Sequence, residues 1–342
     1  MRSRVQLTLA VVSLAGAVAA AQAQYAKMTE IPVGGGGSFD YLAVDSAGKR
    51  LYVSHGTEVV VIDTATDKVV GRIADTPGVH GMAVVPKLNR IFTTNGRENK
   101  VSIVDARTLE TLSKVETGAN PDAITYDPTK QEIWAWNHTG KSATAIDAAT
   151  GKVTATVALA GVAESGGVDG GRVFVNIEDK DSIDVIDTTT RQVVAHWPVA
   201  PAESPTGMAV DAAAHRIFVG GGPAMVMMDS ASGKVLAHVP ICAGTDATAY
   251  DPSTKLVFLS CSEGKLTIVH VDGPDTLRVV QTLETSRGSR TTTVDPATHK
   301  IYLAAVSYAP ADPNAPPPPA GQRAPRPQAI PDSFKVLVFG PR

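Results

Sequence analysis

Apolar runs of four residues that stop at an aspartate, pass through a short polar turn and resume as a second apolar run recur along the chain. Five copies read VVVIDTATDKVV (Val59 to Val70), VSIVDARTLETL (Val101 to Leu112), ATAIDAATGKVT (Ala143 to Thr154), IDVIDTTTRQVV (Ile183 to Val194) and MVMMDSASGKVL (Met225 to Leu236). Their anchors, Asp63, Asp105, Asp147, Asp187 and Asp229, are spaced 40 to 42 residues apart. His270 in LTIVH takes the same place in a sixth copy, and Phe339 in KVLVF takes it in a seventh once a Pro-rich insertion from Ala309 to Ser333 is set aside. Upstream of the anchors a second hairpin pattern repeats, as in YLAVDSAGKRLYV (Tyr41 to Val53), DAITYDPTKQEIWAW (Asp122 to Trp136), GMAVDAAAHRIFVG (Gly207 to Gly220) and TTTVDPATHKIYLA (Thr291 to Ala304). β-Branched and aromatic residues around Asp-Pro, Gly-Lys and Ala-His turns are hairpin punctuation, so each unit holds four strands.

Seven four-stranded antiparallel units with a period in the forties predict an all-β, seven-bladed β-propeller. Closure is also readable. The seventh copy ends at Arg342 with no fourth strand, whereas AKMTEIPV (Ala26 to Val33) has that strand's pattern and precedes the first hairpin. The N-terminal segment is therefore expected to pair into the last blade and fasten the ring. Ahead of it, Arg2 and Arg4 precede an apolar stretch from Val5 to Ala20 and then Ala21-Gln22-Ala23, the layout of a secretory signal peptide over residues 1–23. The expected mature chain starts at Gln24, is periplasmic or secreted, has no membrane span, and folds as one domain over residues 24–342.

Strand ends such as LYVSH (Leu51 to His55), IFTTN (Ile91 to Asn95), IWAWN (Ile133 to Asn137) and VFVNI (Val173 to Ile177), each followed by the xVID-x-x-T turn, resemble the YVTN family of β-propeller repeats. The resemblance implies an exported bacterial seven-bladed propeller. It implies no particular chemistry, because relatives in shape include lactone hydrolases, haem- and quinone-bearing oxidoreductase domains and surface-layer binding proteins.

In a propeller, the crossovers between blades and the loops between second and third strands emerge on one face. The crossovers supply Phe39, Asp40, His80, Asp122, Glu164, Thr206, Asp246 and Arg290; the inner loops supply His55, Asn95, Arg97, Asn137, His138, Asn176, Glu178 and Cys261. The candidate ligand-binding set is His55, His80, Asp122, Asn137, His138, Glu164, Glu178, Asp246 and Arg290. Two readings of the histidines and acids stay open: a mixed N/O metal site, since imidazole and carboxylate suit zinc, iron, copper or manganese, or a polar ring that holds water. No HxH, HExxH or CxxC spacing decides between them. Arg287, Arg290 and Thr291 to Thr293 are read either as an anion hook or as salt-bridge partners of Glu164 and Asp122.

Other features are read as structural. The anchor aspartates suit tight turns, because a carboxylate there accepts its own downstream N–H groups. Gly34 to Gly37 lacks the Lys-Ser/Thr and helix of a phosphate loop, and no G-x-S-x-G elbow occurs; no cofactor or catalytic residue is assigned. Residues 309–333, with nine of the chain's 23 prolines, suit an exposed loop insertion. Cys242 and Cys261 fall at the same face of the sixth blade in an exported chain, which favours a disulfide, with free thiols or a shared metal as alternatives. A net charge of −3 without a basic run argues against nucleic acid as the main partner. The sequence thus points to an exported, monomeric propeller binding a small ligand or protein partner on its loop face. The rival is a lactone-hydrolase-like or oxidoreductase-accessory enzyme built on the same polar residues.

Overall fold

The computed structural model describes residues 24–36, 38–309 and 328–342. The leader and most of the Pro-rich insertion read from the sequence lie outside these residues. Among the described residues, the strands form seven four-stranded antiparallel sheets. Six blades are consecutive in sequence. The seventh is assembled from both ends of the chain: Thr292–Asp295, Lys300–Ala305 and Lys335–Pro341 are completed by Tyr25–Pro32 at the outer edge, so that Tyr25 pairs with Pro341 and Pro32 with Lys335.

Each blade presents its first strand to a central channel: Leu42–Asp45, Val79–Val85, Pro121–Asp127, Ala163–Asp169, Pro205–Asp211, Thr245–Asp251 and Thr292–Asp295. The second and third strands are buried on both faces, as in Arg50–His55 and Glu58–Asp63, because each sheet packs against its neighbours; this is why those strands read as continuous apolar runs. The outer strands show an exposed face, as in Lys68–Ile73 and Thr111–Glu116. The core is accordingly distributed between blades. Leu51, Val53, Val60 and Ile62 of blade 1 meet Tyr302, Ala304, Val336 and Val338 of blade 7, with Ile31 of the closing strand among them. Phe92, Val101 and Ile103 of blade 2 meet Ile133, Ala135 and Ile146 of blade 3 in the same way. No helix of the described residues is long and apolar enough to cross a membrane.

On the face away from the crossovers, the anchor aspartates close turns. Asp63 Oδ1 accepts from the N–H groups of Ala65 and Thr66, and Asp187 Oδ1 from those of Thr189 and Thr190. Those backbone donors hold Asp63, Asp105 and Asp187 below the ordinary carboxylate value. Cys242, on the crossover into blade 6, and Cys261, at the end of Leu256–Cys261, form a disulfide with Cα atoms 5.8 Å apart, and both are buried.

Candidate functional site

The seven blades place one residue each at the same point where the chain enters the channel: Asp40, His80, Asp122, Glu164, Thr206, Asp246 and Arg290. In blades 2 to 6 this point coincides with a break in register between first and second strands. Val79 pairs with Asn95 but Met82 with Thr93; Pro121 with Asn137 but Ile124 with Ala135; Ala163 with Ile177 but Gly166 with Val175; Pro205 with Gly221 but Gly207 with Gly220; Thr245 with Cys261 but Ala247 with Ser260. One extra residue is thus left unpaired on the inner strand, and such a bulge re-aims a side chain that a regular strand would send into a blade interface. The backbone at these points is tied to adjoining blades by hydroxyl donors. Thr94 donates to the Asp122 carbonyl, Ser165 to Thr206, Thr206 to Thr245, and Thr291 to Asp40.

Inside this ring the charged groups pair across blades. His80 Nδ1 lies 2.6 Å from Asp40 Oδ2 and 2.9 Å from Asp122 Oδ1. Burial opposes a charge on His80, yet the flanking carboxylates of Asp122 and Asp40 push it up to about 10. His138, from the loop between the second and third strands of blade 3, lies with Nδ1 3.0 Å from Glu164 Oε1 and is pushed up to about 9, chiefly by that carboxylate. Glu164 is itself pushed up to about 8, by burial first and then by the charges of Asp122 and Asp246, against the pull of His138. Arg290 donates from Nε to Asp246 Oδ2 at 2.5 Å, has a terminal nitrogen 3.7 Å from Asp40 Oδ1, and sits over the Phe39 ring at 5.6 Å. Asp40 and Asp246 are both raised, by burial in the first place.

Tyr41 belongs to this constellation although sequence reasoning passed over it. Its side chain starts in blade 1 and packs against the blade 3 and 4 cluster around Trp136 and Ala163, and its hydroxyl faces Glu164 Oε2 at 3.5 Å. It therefore crosses the channel just below the ring. The signal was present: at the position after each ring residue the other blades carry Gly81, Ala123, Ser165, Gly207, Ala247 and Thr291, all small, and Tyr41 alone is large. The small residues are dictated by convergence of the inner strands. A Cβ on Gly207 would stand 2.6 Å from the Thr248 backbone nitrogen.

The ring gathers His80, Asp122, His138, Glu164, Asp246 and Arg290 from the candidate set, with Glu178 near enough to raise His138. It does not gather His55 or Asn137. His55 stacks on Phe334 at 4.4 Å, with Nε2 2.7 Å from the Gly36 carbonyl oxygen and Nδ1 3.3 Å from Glu58, so it braces the closing crossover. Asn137 donates to Ser142 and Thr144 within its own blade. The salt-bridge reading of Arg290 also needs correction: its partners are Asp246 and Asp40 on the flanking blades, because Glu164 and Asp122 lie across the ring and are engaged by His138 and His80.

Above the ring a funnel of about 760 Å³ opens on the loop face, lined by Asp40, His80, Arg97, Arg287, Arg290 and Tyr308 among others. Below it the channel holds a separate cavity of about 310 Å³, lined by inner-strand residues including Tyr41, Ser165, Thr248 and Thr293. Arg97 and Arg287 are exposed in the funnel wall and form no ion pair among the described residues. A concave site with convergent polar groups and shifted ionisable residues is where binding or chemistry is expected in a fold of this kind.

Comparison with known proteins agrees with the architecture. Residues 97–307, more than half of the chain, match the family described as outer membrane protein assembly factor BamB (PQQ_2), and the chain belongs to that family of β-propeller proteins. Uncharacterized protein YncE from Salmonella typhi is 28% identical over 149 residues, which is 41% of this chain and 42% of that protein. YncE from Salmonella typhimurium matches over the same extent at the same identity. Both matches span about two fifths of the relatives' length. Among solved structures, Kuenenia stuttgartiensis hydrazine synthase is similar with a TM-score of 0.68 at 16% identity, over 81% of this chain and 94% of that one. A chain of the mitotic checkpoint complex is similar with a TM-score of 0.72 at 11% identity, over 89% and 96%. At these identities the structures share the fold alone.

Proposed function

We propose that the protein is an exported propeller of the YVTN type that binds a small anionic ligand, a carboxylate or phosphate, in its loop-face funnel. The observation that carries this reading is the pair Arg97 and Arg287, exposed in the wall of a cavity of about 760 Å³ with no carboxylate paired to either among the described residues. Arg290, tied to Asp246 and Asp40, lies deeper in the same wall. A guanidinium grips a carboxylate or phosphate through two parallel N–H donors, and a funnel of this size suits a metabolite-sized molecule. The leader over residues 1–23 would deliver the protein to the periplasm, where it acts as a monomer. Membership of a family described as an outer membrane protein assembly factor supplies the competing reading, a protein partner docked on the same face.

The test is a thermal-shift and calorimetric screen of the protein from Gln24 onward against citrate, succinate, inorganic phosphate and sugar phosphates. A ligand held at 100 times its Kd stabilises by roughly 2.7 kcal/mol, a readily measured rise in Tm. At least one anion is expected to produce it, and Arg97→Ala and Arg287→Ala are expected to weaken binding without lowering the Tm of the free protein. No response to any anion, or an undiminished response in both variants, overturns the reading.

A further inference from the structure

We propose that Asp40, His80 and Asp122 form a binding site for one divalent transition-metal ion at the base of the funnel. Three blades contribute one ligand each, and the donor atoms, two carboxylate oxygens and the ring Nδ1, all lie within 4.8 Å of one another. The contact pattern is that of one cationic group held between two acids. A histidine Nδ1 carries a single hydrogen, yet it faces Asp40 Oδ2 at 2.6 Å and Asp122 Oδ1 at 2.9 Å. A protonated ring shares that hydrogen between the two carboxylates, so the pocket already holds one positive charge between two acids. A metal ion bound in place of that proton would take a lone pair from each of the three donor atoms. With metal–nitrogen and metal–oxygen distances of about 2.0 to 2.2 Å, tetrahedral ligand atoms stand about 3.3 to 3.6 Å apart. The two observed separations, 2.6 and 2.9 Å, are shorter, so the ligands would move apart by roughly 0.4 to 1.0 Å to admit the ion.

The surroundings are buried and acidic. The two carboxylates are each 8% exposed; of the ring's other acids, Glu164 is pushed up to about 8 and Asp246 is paired with Arg290, which also stands 3.7 Å from Asp40. His138 Nδ1 stands close to Glu164 Oε1 but outside hydrogen-bond geometry, and it belongs with Asp122 and Glu164 to a second convergent triad that shares Asp122. On its other side His80 is set by Gly96, where a Cβ would come within 2.8 Å of Nε2, so the ring stands with Nδ1 toward the carboxylates. Asp40 and His80 also line the funnel, which supplies an entry path. A mixed N/O set of this kind suits zinc, manganese, iron or cobalt rather than calcium or magnesium. The site stands independently of anion binding, since its ligands are separate from Arg97 and Arg287.

The test uses the tag-free protein from Gln24 onward, stripped with chelator and titrated in an anion-poor buffer with Zn²⁺ by calorimetry and with Co²⁺ by visible absorption. One equivalent per chain is expected. Asp122→Asn and His80→Gln should each weaken binding more than tenfold, while His196→Gln and His215→Gln, at exposed histidines of other blades, should leave it unchanged. Thermal melts of each variant separate loss of binding from loss of fold, and Asp40→Asn replaces any variant that does not fold. Less than a tenth of an equivalent bound to the wild-type protein, undiminished affinity in the ring variants, or loss in the exposed-histidine variants overturns the proposal.

Discussion

Closure of the ring by the N-terminal strand can be perturbed at single side chains. Tyr25 and Ile31 are each 2% exposed and anchor the two ends of the strand that completes blade 7. Tyr25 meets Phe258 of blade 6 edge-on at 5.4 Å, and its backbone N–H and carbonyl are both bonded by Gln281. Ile31 lies in the cluster between blades 7 and 1. Truncating a buried isoleucine costs roughly 2 to 5 kcal/mol and a buried aromatic roughly 3 to 5, so about 3 for Ile31→Ala and about 4 for Tyr25→Ala are reasonable central values. The two residues share no partner, so the double variant should lose roughly 7 kcal/mol. That is comparable with the whole stability of an ordinary domain, about 5 to 15 kcal/mol. Met28, on the same strand but 57% exposed, is the control and should change stability by less than about 0.5 kcal/mol on truncation. Guanidinium unfolding followed by tryptophan fluorescence suits the question, because Trp134, Trp136 and Trp197 lie in blades 3 and 4, remote from the closure. If the ring is one cooperative unit, those reporters shift their midpoint with the closing strand. Ile31→Ala within the error of Met28→Ala, or a reporter transition that ignores both, would show that the strand is an appendage.

The disulfide between Cys242 and Cys261 spans a separation of 19 residues and should stabilise by roughly 3 kcal/mol in the chain-entropy view; thiol titration of unreduced, denatured protein is expected to find none, and two thiols would refute the bridge. Asp105→Ala should lower stability through loss of its turn bonds from Arg107 and Thr108 and leave anion binding unchanged, as measured by unfolding and calorimetry side by side. The turn aspartates also set an acid limit. Their folded pKa values are depressed, so their contribution is present above the unfolded value of about 3.9 and is lost as pH falls through the folded values. Asp105→Asn should therefore reduce the slope of stability against pH below about pH 4, and an unaltered slope would remove that residue from the acid response.

The fold was legible because its signals are local and repeated. Anchors such as Asp63 and Asp187 sit in identical turns, and the apolar runs before them are continuous because blades cover both faces of each sheet. The positions of the ring were also legible, since chain order alone puts Asp40, His80, Asp122, Glu164, Asp246 and Arg290 at equivalent crossovers. The pairings were not. Whether Arg290 meets Glu164 or Asp246 depends on side-chain reach across a closed ring, which no periodicity encodes. His55 was misleading for a similar reason: its loop lies on the expected face, but Phe334, distant in sequence and brought near by ring closure, draws its imidazole under the crossover. Asn137 occupies the right face too, and is consumed by hydroxyls of its own blade.

The ring position asks little of its side chain for the sake of the fold. At each bulge the structure needs a backbone carbonyl that a neighbouring hydroxyl can reach, as Thr94 reaches Asp122, and a small residue immediately afterwards; in blade 1, whose strands show no bulge, Thr291 reaches Asp40 in the same way and the following residue is Tyr41. Thr206 shows that an uncharged residue meets these requirements: its carbonyl accepts from Ser165 and its own hydroxyl passes the chain of bonds on to Thr245. Gathering Asp40, Asp122, Glu164 and Asp246 around one axis is costly by comparison. Burial alone raises Asp40, Glu164 and Asp246, and the acids raise one another further. Replacing such buried charge by neutral residues of similar volume is commonly neutral or stabilising. The fold therefore does not account for the composition of the ring, whereas binding of a cation among its acids and of an anion on the arginines above them would.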